Sequence, residues 1–181
     1  MSELRTERLL LRGWRESDLA PWAAMNADPE VRRYFPGVLT REQADASAAR
    51  FQAEIHRRGW GWWAVEVIDS GEFIGFTGLD AVEDVMPFTG VEAGWRLARS
   101  AWGHGYATEA ALATLEFGFD TLALPEILAV TSVTNVPSQA VMRRIGMTRD
   151  RADDFDDPTM PLGPLRPSVV YRLPRGRYQR T

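Results

Sequence analysis

The sequence predicts one domain of the α+β class, in which helices pack against a mostly antiparallel mixed sheet. A chain of 181 residues, 45% of them hydrophobic, is enough for one core and too short for two comfortable ones. Aromatic and β-branched runs follow one another between residues 60 and 97, and apolar residues recur at helical spacing on both sides. Because strands and helices do not alternate regularly, a mixed α/β domain is favoured over a doubly wound parallel sheet.

The N-terminal third predicts one strand and two helices. The strand covers residues 8–12, and Ser17 and Asp18 offer N-cap oxygens to a helix that Asp28-Pro29 interrupts. A second helix is predicted from Thr40 to about residue 57. Thr40 stands three residues before Gln43, as in a capping box, and apolar residues recur at Ala44, Ala48, Phe51 and Ile55.

The middle of the chain predicts an antiparallel meander followed by a helix. Its strands cover residues 60–68, 72–79 and 91–97, and turn residues separate them. A glycine-rich turn at Gly103 and Gly105 then leads into a helix that extends to roughly Leu122.

The C-terminal third predicts a strand over 127–133, a short helix over 137–145 and two last strands over 147–150 and 169–173. Gly146 closes the short helix as its C-cap. The acidic, proline-rich stretch over 153–167 is predicted to be irregular.

Composition excludes several chemistries. There is no cysteine, and all 21 basic side chains are arginine, since the chain has no lysine. A disulfide framework, a thiolate nucleophile, a cysteine-based zinc site, a Schiff-base lysine and a P-loop lysine are therefore excluded. We expect no metal site.

The charge pattern indicates a protein of the cytoplasm. A net charge of −4 argues against a nucleic-acid partner, and the arginines at 172, 175, 177 and 180 are interpreted as a solvated basic tail. Neither a signal-peptide pattern nor an apolar run of about 18 residues is present, so no membrane association is expected.

The turn at Gly103 and Gly105 is the most informative segment. A strand that runs through two alternate glycines into a helix can aim several backbone N–H groups at one phosphate, although a tight turn also needs glycines for steric reasons alone. A dinucleotide-binding motif would have a third glycine where Thr108 stands, and a P-loop would need a lysine. Neither motif fits.

Two ordered motifs carry a family resemblance. The run Trp102-Gly103-His104-Gly105-Tyr106-Ala107 is similar to the pyrophosphate loop of the GNAT (Gcn5-related) N-acetyltransferases, and its continuation to Ala110 resembles their RimJ/RimL branch. The second motif of that branch appears at 135–138, Val141 and 144–147, and residues 6–12 resemble its opening. The resemblance covers about the whole chain. It implies one acetyltransferase domain over 1–181, with about four helices and a sheet splayed between the fourth and fifth strands.

The resemblance implies acetyl-CoA as the cofactor and assigns residues to it. The backbone of Leu97, Ala98 and Arg99 would bond the pantetheine arm, and Asn135 and Ser138 would orient the cofactor. The pyrophosphate would lie against the loop and the helix start, at Trp102, Gly103, His104, Gly105, Tyr106, Ala107 and Thr108.

The reaction needs a base, because an ammonium group must lose a proton before it attacks a thioester. Glu92 lies on the strand that leads to the loop, on the face shared by Gly94 and Arg96. We predict that Glu92 is the base, acting directly or through water. The alternative is a surface carboxylate paired with Arg96.

The resemblance to the RimJ/RimL branch implies Ser138 as the general acid, with water as the alternative. Many relatives have a tyrosine four residues before the closing glycine, and Met142 stands there in this chain. Asn135 and Ser138 are also ordinary residues at a helix start. Glu109 is interpreted as structural and His104 as a solvent-facing loop residue.

The acceptor is expected to be a primary amine, either a protein N-terminal amino group or a small-molecule amine. The acidic run over 153–157 would attract such a cation or simply solvate a loop. A homodimer is compatible with the resemblance. Transfer is expected to be direct in a ternary complex, since no cysteine exists to form an acetyl-enzyme. The alternative function is a non-catalytic acyl-CoA-binding or interaction module.

Overall fold

An open, mostly antiparallel sheet runs through the protein. The computed structural model describes residues 3–179, in which nine strands form one sheet in the order β1-β2-β3-β4-β5-β6-β9-β7, with β8 beside β9. The strands are β1 (Leu4–Arg5), β2 (Leu9–Arg12), β3 (Trp62–Val67), β4 (Phe73–Ala81), β5 (Val91–Leu97), β6 (Glu126–Ser132), β7 (Thr148–Arg149), β8 (Phe155–Asp156) and β9 (Pro167–Pro174). Among these pairs only β5 and β6 are parallel.

Four α-helices cover the two faces of the sheet. They are α1 (Leu19–Ala27), α2 (Arg41–Arg58), α3 (Tyr106–Glu116) and α4 (Val136–Arg144), and a π-helical turn extends α3 to Thr121. The predicted capping box starts α2, since Thr40 accepts a hydrogen bond from the Gln43 backbone and Gln43 returns one to Thr40. None of the helices within residues 3–179 is long and apolar enough to cross a bilayer.

Each face of the sheet has its own hydrophobic core. The main core lies under α3 and α4 and includes Trp63, Leu115, Phe119 and Met142. The second core lies under α1 and α2. It contains Trp22, Phe51 and Phe76 in mutual edge or tilted contact, and Phe73 in tilted contact with Trp14.

The sheet opens between β5 and β6. Strands β4 and β5 pair from Gly75↔Leu97 to Ala81↔Val91, whereas β5 and β6 pair only at Glu92↔Leu128 within the described residues. The two parallel strands therefore separate toward their carboxyl ends. This confirms the predicted splay, since β5 and β6 are the fourth and fifth of the strands that the sequence predicts.

The predicted elements occur in the predicted order, with two additions and one correction. Strands β1 and β8 were not predicted, and β8 lies in the stretch expected to be irregular. The interpretation of Arg172 as part of a solvated basic tail is wrong, because Arg172 lies in β9 and forms ion pairs with Glu126 and Asp153. Arg180 lies outside the described residues.

Candidate active site

Strand β5 presents different side chains to the two faces of the sheet. Ala93 and Leu97 belong to the main core under α3. Because successive side chains point to opposite faces, Glu92, Gly94 and Arg96 point to the side of α1 and α2. The strand thus connects the opening beside β6 with the face on which the predicted base lies.

Glu92 is a half-buried carboxylate with no partner among the described residues. It forms no hydrogen bond or ion pair within residues 3–179, so the predicted alternative, a surface carboxylate paired with Arg96, is wrong. Burial raises the pKa of Glu92 to about 7, and the negative charges of Asp80, Glu83 and Asp157 add to the effect. A carboxyl group with such a pKa can accept and release a proton near neutral pH.

Asp80, the cross-strand partner of Glu92, is held in place by the backbone amide of Ala81 and by two side-chain donors. Arg58 forms an ion pair with it at 2.7 Å, and the indole nitrogen of Trp62 donates to it at 3.1 Å. The ring of Trp62 covers Gly94, because a Cβ atom at that position would lie 3.0 Å from the indole. A side chain at position 94 would therefore displace Trp62 from this surface.

The acidic run over 153–157 is mostly neutralised by arginines. Asp153 pairs with Arg172 and Asp154 with Arg149, while Asp156 reaches an arginine only at 4.0 Å. Asp157 is buried and accepts hydrogen bonds from Thr159. Its charge is the one from this run that acts on the pKa of Glu92.

The glycine turn forms an anion cradle where β5 ends. Gly103 and Gly105 have φ angles of +80° and +81°, which favour glycine, and Gly105 is the N-cap of α3 without a side-chain cap. The first amides of a helix lack intrahelical acceptors, so those of α3 are available to a bound anion. Nothing lies within 4 Å of a Cβ atom built on Gly103.

A clamp from the N-terminal strands holds this turn, and the sequence analysis missed it. The Glu109 carboxylate accepts hydrogen bonds from the Thr6 hydroxyl and from the backbone and guanidinium of Arg8. Arg8 also donates to the carbonyl of His104 and lies over the ring of Tyr106. The structural interpretation of Glu109 is therefore confirmed. The opening motif over 6–12 contains Thr6 and Arg8, so it was the part of the sequence that could have indicated this clamp.

His104 and Trp102 are both exposed, and their environments differ. The His104 ring stacks on Tyr106 at the loop surface. The Trp102 indole donates to the carbonyl of Leu97 at 2.9 Å, so it fastens the loop to the end of β5. Leu97 is one of three residues whose backbone was predicted to bond the cofactor.

The backbone at the other two positions is also engaged. Ala98 donates to Ile74 and accepts from Ala101, and the carbonyl of Arg99 accepts from Trp102. The edge of β5 between Glu92 and this turn has no partner strand in the described part of the chain. This edge offers peptide groups that a pantetheine arm can bond.

Helix α4 begins beside the same opening, directly after β6. Asn135 is its N-cap: its carbonyl oxygen accepts from the Ser138 amide, and its amide nitrogen donates to Thr131. The Ser138 hydroxyl has no partner within the described residues and is half-buried. Met142 is only 1% exposed, so the position of the usual tyrosine is filled by core packing.

The fold and site define a class of protein. Two helices begin at the carboxyl ends of diverging parallel strands, one of them behind a glycine cradle, and a half-buried carboxylate lies where the strands meet. This arrangement fits a phosphate-bearing cofactor with an extended arm, as in transferases that use acyl-CoA.

Comparison with known proteins identifies the family. The model of the acetyltransferase (GNAT) domain matches residues 8–148, and the chain belongs to this family. An uncharacterized N-acetyltransferase of Bacillus subtilis, YnaD, is 32% identical over 81% of this chain and 83% of its own. An FsC-acetyl coenzyme A-N(2)-transacetylase of Aspergillus fumigatus is 32% identical over 86% of this chain and 69% of its own.

Solved structures share the fold. An acetyltransferase (GNAT family) from Bacillus anthracis superposes with a TM-score of 0.80 at 26% identity, covering 97% of this chain and 99% of that chain. A RimL ribosomal-protein alpha-N-acetyltransferase in complex with coenzyme A gives a TM-score of 0.76 at 17% identity, with 96% and 98% covered. The protein is an acetyl-CoA-dependent acetyltransferase, and the alternative of a non-catalytic module is set aside.

Proposed function

We propose that this protein transfers the acetyl group of acetyl-CoA directly to a primary amine in a ternary complex, with Glu92 as general base. The observation that carries the proposal is the half-buried, unpaired carboxylate of Glu92, whose raised pKa of about 7 suits proton transfer. Since the chain has no cysteine, an acetyl-cysteine intermediate cannot form.

The cofactor is held by backbone rather than by cationic side chains. The amides from Gly103 to Thr108 hold the pyrophosphate, and the unpaired edge of β5 bonds the pantetheine arm. When bound, acetyl-CoA supplies an acetyl group activated as a thioester. The Arg8–Glu109 clamp keeps the cradle in position.

Glu92 removes the proton that blocks attack. Its carboxylate takes a proton from the ammonium form of the acceptor, directly or through water, and the nitrogen lone pair then forms the C–N bond. The nearby charges of Asp80 and Asp157 attract the cationic acceptor before this step. When the C–S bond breaks, its electron pair would leave on sulfur. The free hydroxyl of Ser138, in the first turn of α4, would donate a proton to this sulfur and regain one from the acylated nitrogen, at a position where the helix dipole favours negative charge.

The acceptor is a protein N-terminal amino group or a small-molecule amine. The run from Trp102 to Ala110 resembles the RimJ/RimL branch, which favours a protein N-terminus. The Aspergillus fumigatus relative is named for acetyl transfer at an N(2) position and not for a protein N-terminus, so a small-molecule amine is kept as the other acceptor. We further propose a single domain over 1–181 that acts in the cytoplasm without nucleic-acid or membrane partners, with a homodimer to be tested by sedimentation.

Calorimetric titration with acetyl-CoA tests the cofactor site. The wild type is expected to bind in the micromolar range. Gly105→Val is expected to bind at least about tenfold more weakly, because the side chain strains a left-handed residue and its Cβ lies 3.5 Å from the Arg8 guanidinium that holds the turn. Gly59→Val is the matched control, since Gly59 has a φ of +82° with nothing within 4 Å of its Cβ position. Absent wild-type binding, or equal weakening by both variants, contradicts the proposed loop.

A further inference from the structure

Arg96 lies on the same face of β5 as Glu92, enclosed by aromatic rings. Its guanidinium carbon is 3.9 Å from the ring centroid of Phe35, 5.4 Å from that of Phe76 and 5.7 Å from that of Trp22. Its Nη1 donates to the Asn26 side-chain oxygen at 3.0 Å. These contacts fix the orientation of the guanidinium plane.

One edge of this guanidinium has no partner. The Nε atom is buried without a hydrogen bond, and Nη2 forms none within residues 3–179. The Nε and Nη2 donors lie side by side, and such a fork matches the two oxygens of a carboxylate. A buried donor without an acceptor is costly, so this edge is a candidate for completion by a ligand.

A second buried arginine lies close by without a counter-ion. Arg32 donates its Nε to the carbonyl of Gly37 at 2.7 Å, and neither Arg32 nor Arg96 forms an ion pair within the described part of the chain. Burial, followed by the charge of Arg32, lowers the pKa of Arg96 to about 9. Removing two cations from water without a counter-ion is unfavourable, and so is their mutual repulsion. A bound anion would reduce both effects.

We propose that Arg96, assisted by the charge of Arg32, binds a carboxylate of the acceptor, so that the acceptor is an amine whose molecule also carries an anionic group. This inference rests on the proposed function, in which Glu92 receives the amine. The carboxylate fills the Nε–Nη2 edge of Arg96, while the ring of Phe35 stays over the face of the guanidinium.

The spacing along β5 restricts the acceptor further. Glu92 and Arg96 are four residues apart, about 13 Å along an extended strand. The indole of Trp62 covers Gly94 between them. An α-amino acid, with both charges on one carbon, is too short for this distance. A peptide with an acidic side chain or a C-terminal carboxylate is long enough.

Four peptides in two matched pairs test the inference. One pair is Ala-Glu-Ala amide and Ala-Gln-Ala amide, and the other is tri-alanine as the free acid and as the amide. Thiol release measures turnover, and calorimetry with CoA-saturated protein measures binding. We expect kcat/KM to be about 10- to 100-fold higher for the acid of at least one pair, the range for a charge-assisted hydrogen bond. The pair that discriminates identifies the source of the carboxylate.

Variants separate recognition from a structural role. Arg96→Gln is expected to abolish the preference for the acid while leaving turnover of the neutral peptide within about threefold, and Arg96→Lys to retain only part of it. Arg32→Gln should weaken the preference for the acid peptide, and this variant replaces Arg96→Gln in the test if Arg96→Gln does not fold. Arg33→Gln is the control, because this neighbouring arginine is 65% exposed. If the role of Arg96 is purely structural, Arg96→Gln should lower kcat/KM equally for acid and neutral peptides.

The outcomes distinguish this inference from the proposed function. Acetylation of acid and neutral peptides at equal rates overturns the carboxylate site and leaves acetyl transfer intact. Tighter binding of acid peptides without any turnover supports the carboxylate site and overturns acetyl transfer to these amines. Equal binding with no turnover overturns both.

Discussion

In the proposed mechanism a single side chain, Glu92, sets the pH dependence of the reaction. Its carboxyl group is desolvated and faces other negative charges, so it stays protonated over a range in which an exposed glutamate is ionised. The base must be ionised to act. Catalysis therefore requires the form that the protein environment disfavours.

The pH–rate profile tests this role. In the wild type, kcat/KM should rise with pH through about 7, as Glu92 loses its proton in the free enzyme. Glu92→Gln should lower kcat/KM by about 10²- to 10⁴-fold and remove this rise, with acetyl-CoA affinity unchanged by calorimetry. An unchanged profile in the variant removes Glu92 from the mechanism.

A second variant pair checks the electrostatic part of this argument. Asp157→Asn should move the rising limb to lower pH, because one of the charges that raise the pKa of Glu92 is removed. Asp156→Asn, in the same acidic run, should leave the limb in place, since its charge is not among those acting on Glu92. Equal shifts in the two variants would show that net charge, not proximity to Glu92, controls the profile.

The same carboxylate is predicted to reduce stability at alkaline pH. The pKa of Glu92 is raised in the folded state. Its contribution to folding stability is therefore fully present below the ordinary glutamate pKa of 4.5 and is lost as pH rises through about 7. At about pH 8 the free energy of unfolding of Glu92→Gln, measured by urea denaturation, should thus exceed that of the wild type by up to about 3 kcal/mol. Near about pH 4.5 the two proteins should differ little. A variant that is less stable at the higher pH contradicts the predicted cost of ionising this side chain.

At the scale of elements, the junction of β1, β2 and α3 decides whether the anion cradle is ordered. Burial raises the pKa of Glu109, but hydrogen bonds from Thr6 and Arg8 outweigh this and lower it overall. These bonds join the turn between β1 and β2 to the first turn of α3. The arrangement holds the loop through contacts between protein groups alone.

Glu109→Gln tests the clamp. The variant should lose about 1 kcal/mol of stability, equivalent to roughly 2–4 °C in Tm, and bind acetyl-CoA more weakly while kcat at saturation changes little. Scanning calorimetry and titration with acetyl-CoA measure the two effects. Glu7→Gln is the control, because Glu7 is exposed in the same turn. Full cofactor affinity in Glu109→Gln would show that the loop is ordered without the clamp.

The sequence predicted what local chemistry determines. The capping box at Thr40, the meander and the helix after Gly105 were all predicted because each is encoded within a few neighbouring residues. Strands β1 and β8 were missed because two-residue strands carry no periodic signal, and they exist through pairing with distant strands. The burial of Glu92 and the unpaired edge of Arg96 likewise depend on residues far away in sequence.

At the scale of the whole molecule, the sheet consists of two antiparallel parts joined at one ladder position. Strands β1 to β5 form one part and β6 to β9 the other, and Glu92↔Leu128 is the pairing between them within the described residues. The main core holds the parts together where the ladder does not, because it includes Leu97 of the first part and Ile127 and Tyr171 of the second. A cofactor in the opening would contact both parts and replace the missing pairing.

Hydrogen exchange tests this arrangement. Acetyl-CoA should slow exchange in peptides that cover β5 and the start of α3, because amides at the open edge and in the cradle gain acceptors. Peptides that cover β3 and β4 should be little affected, since these strands are already paired on both sides. In Gly105→Val, the protection at the start of α3 should be absent at the same cofactor concentration. Uniform slowing across the whole sheet would instead indicate global stabilisation by a ligand that binds elsewhere.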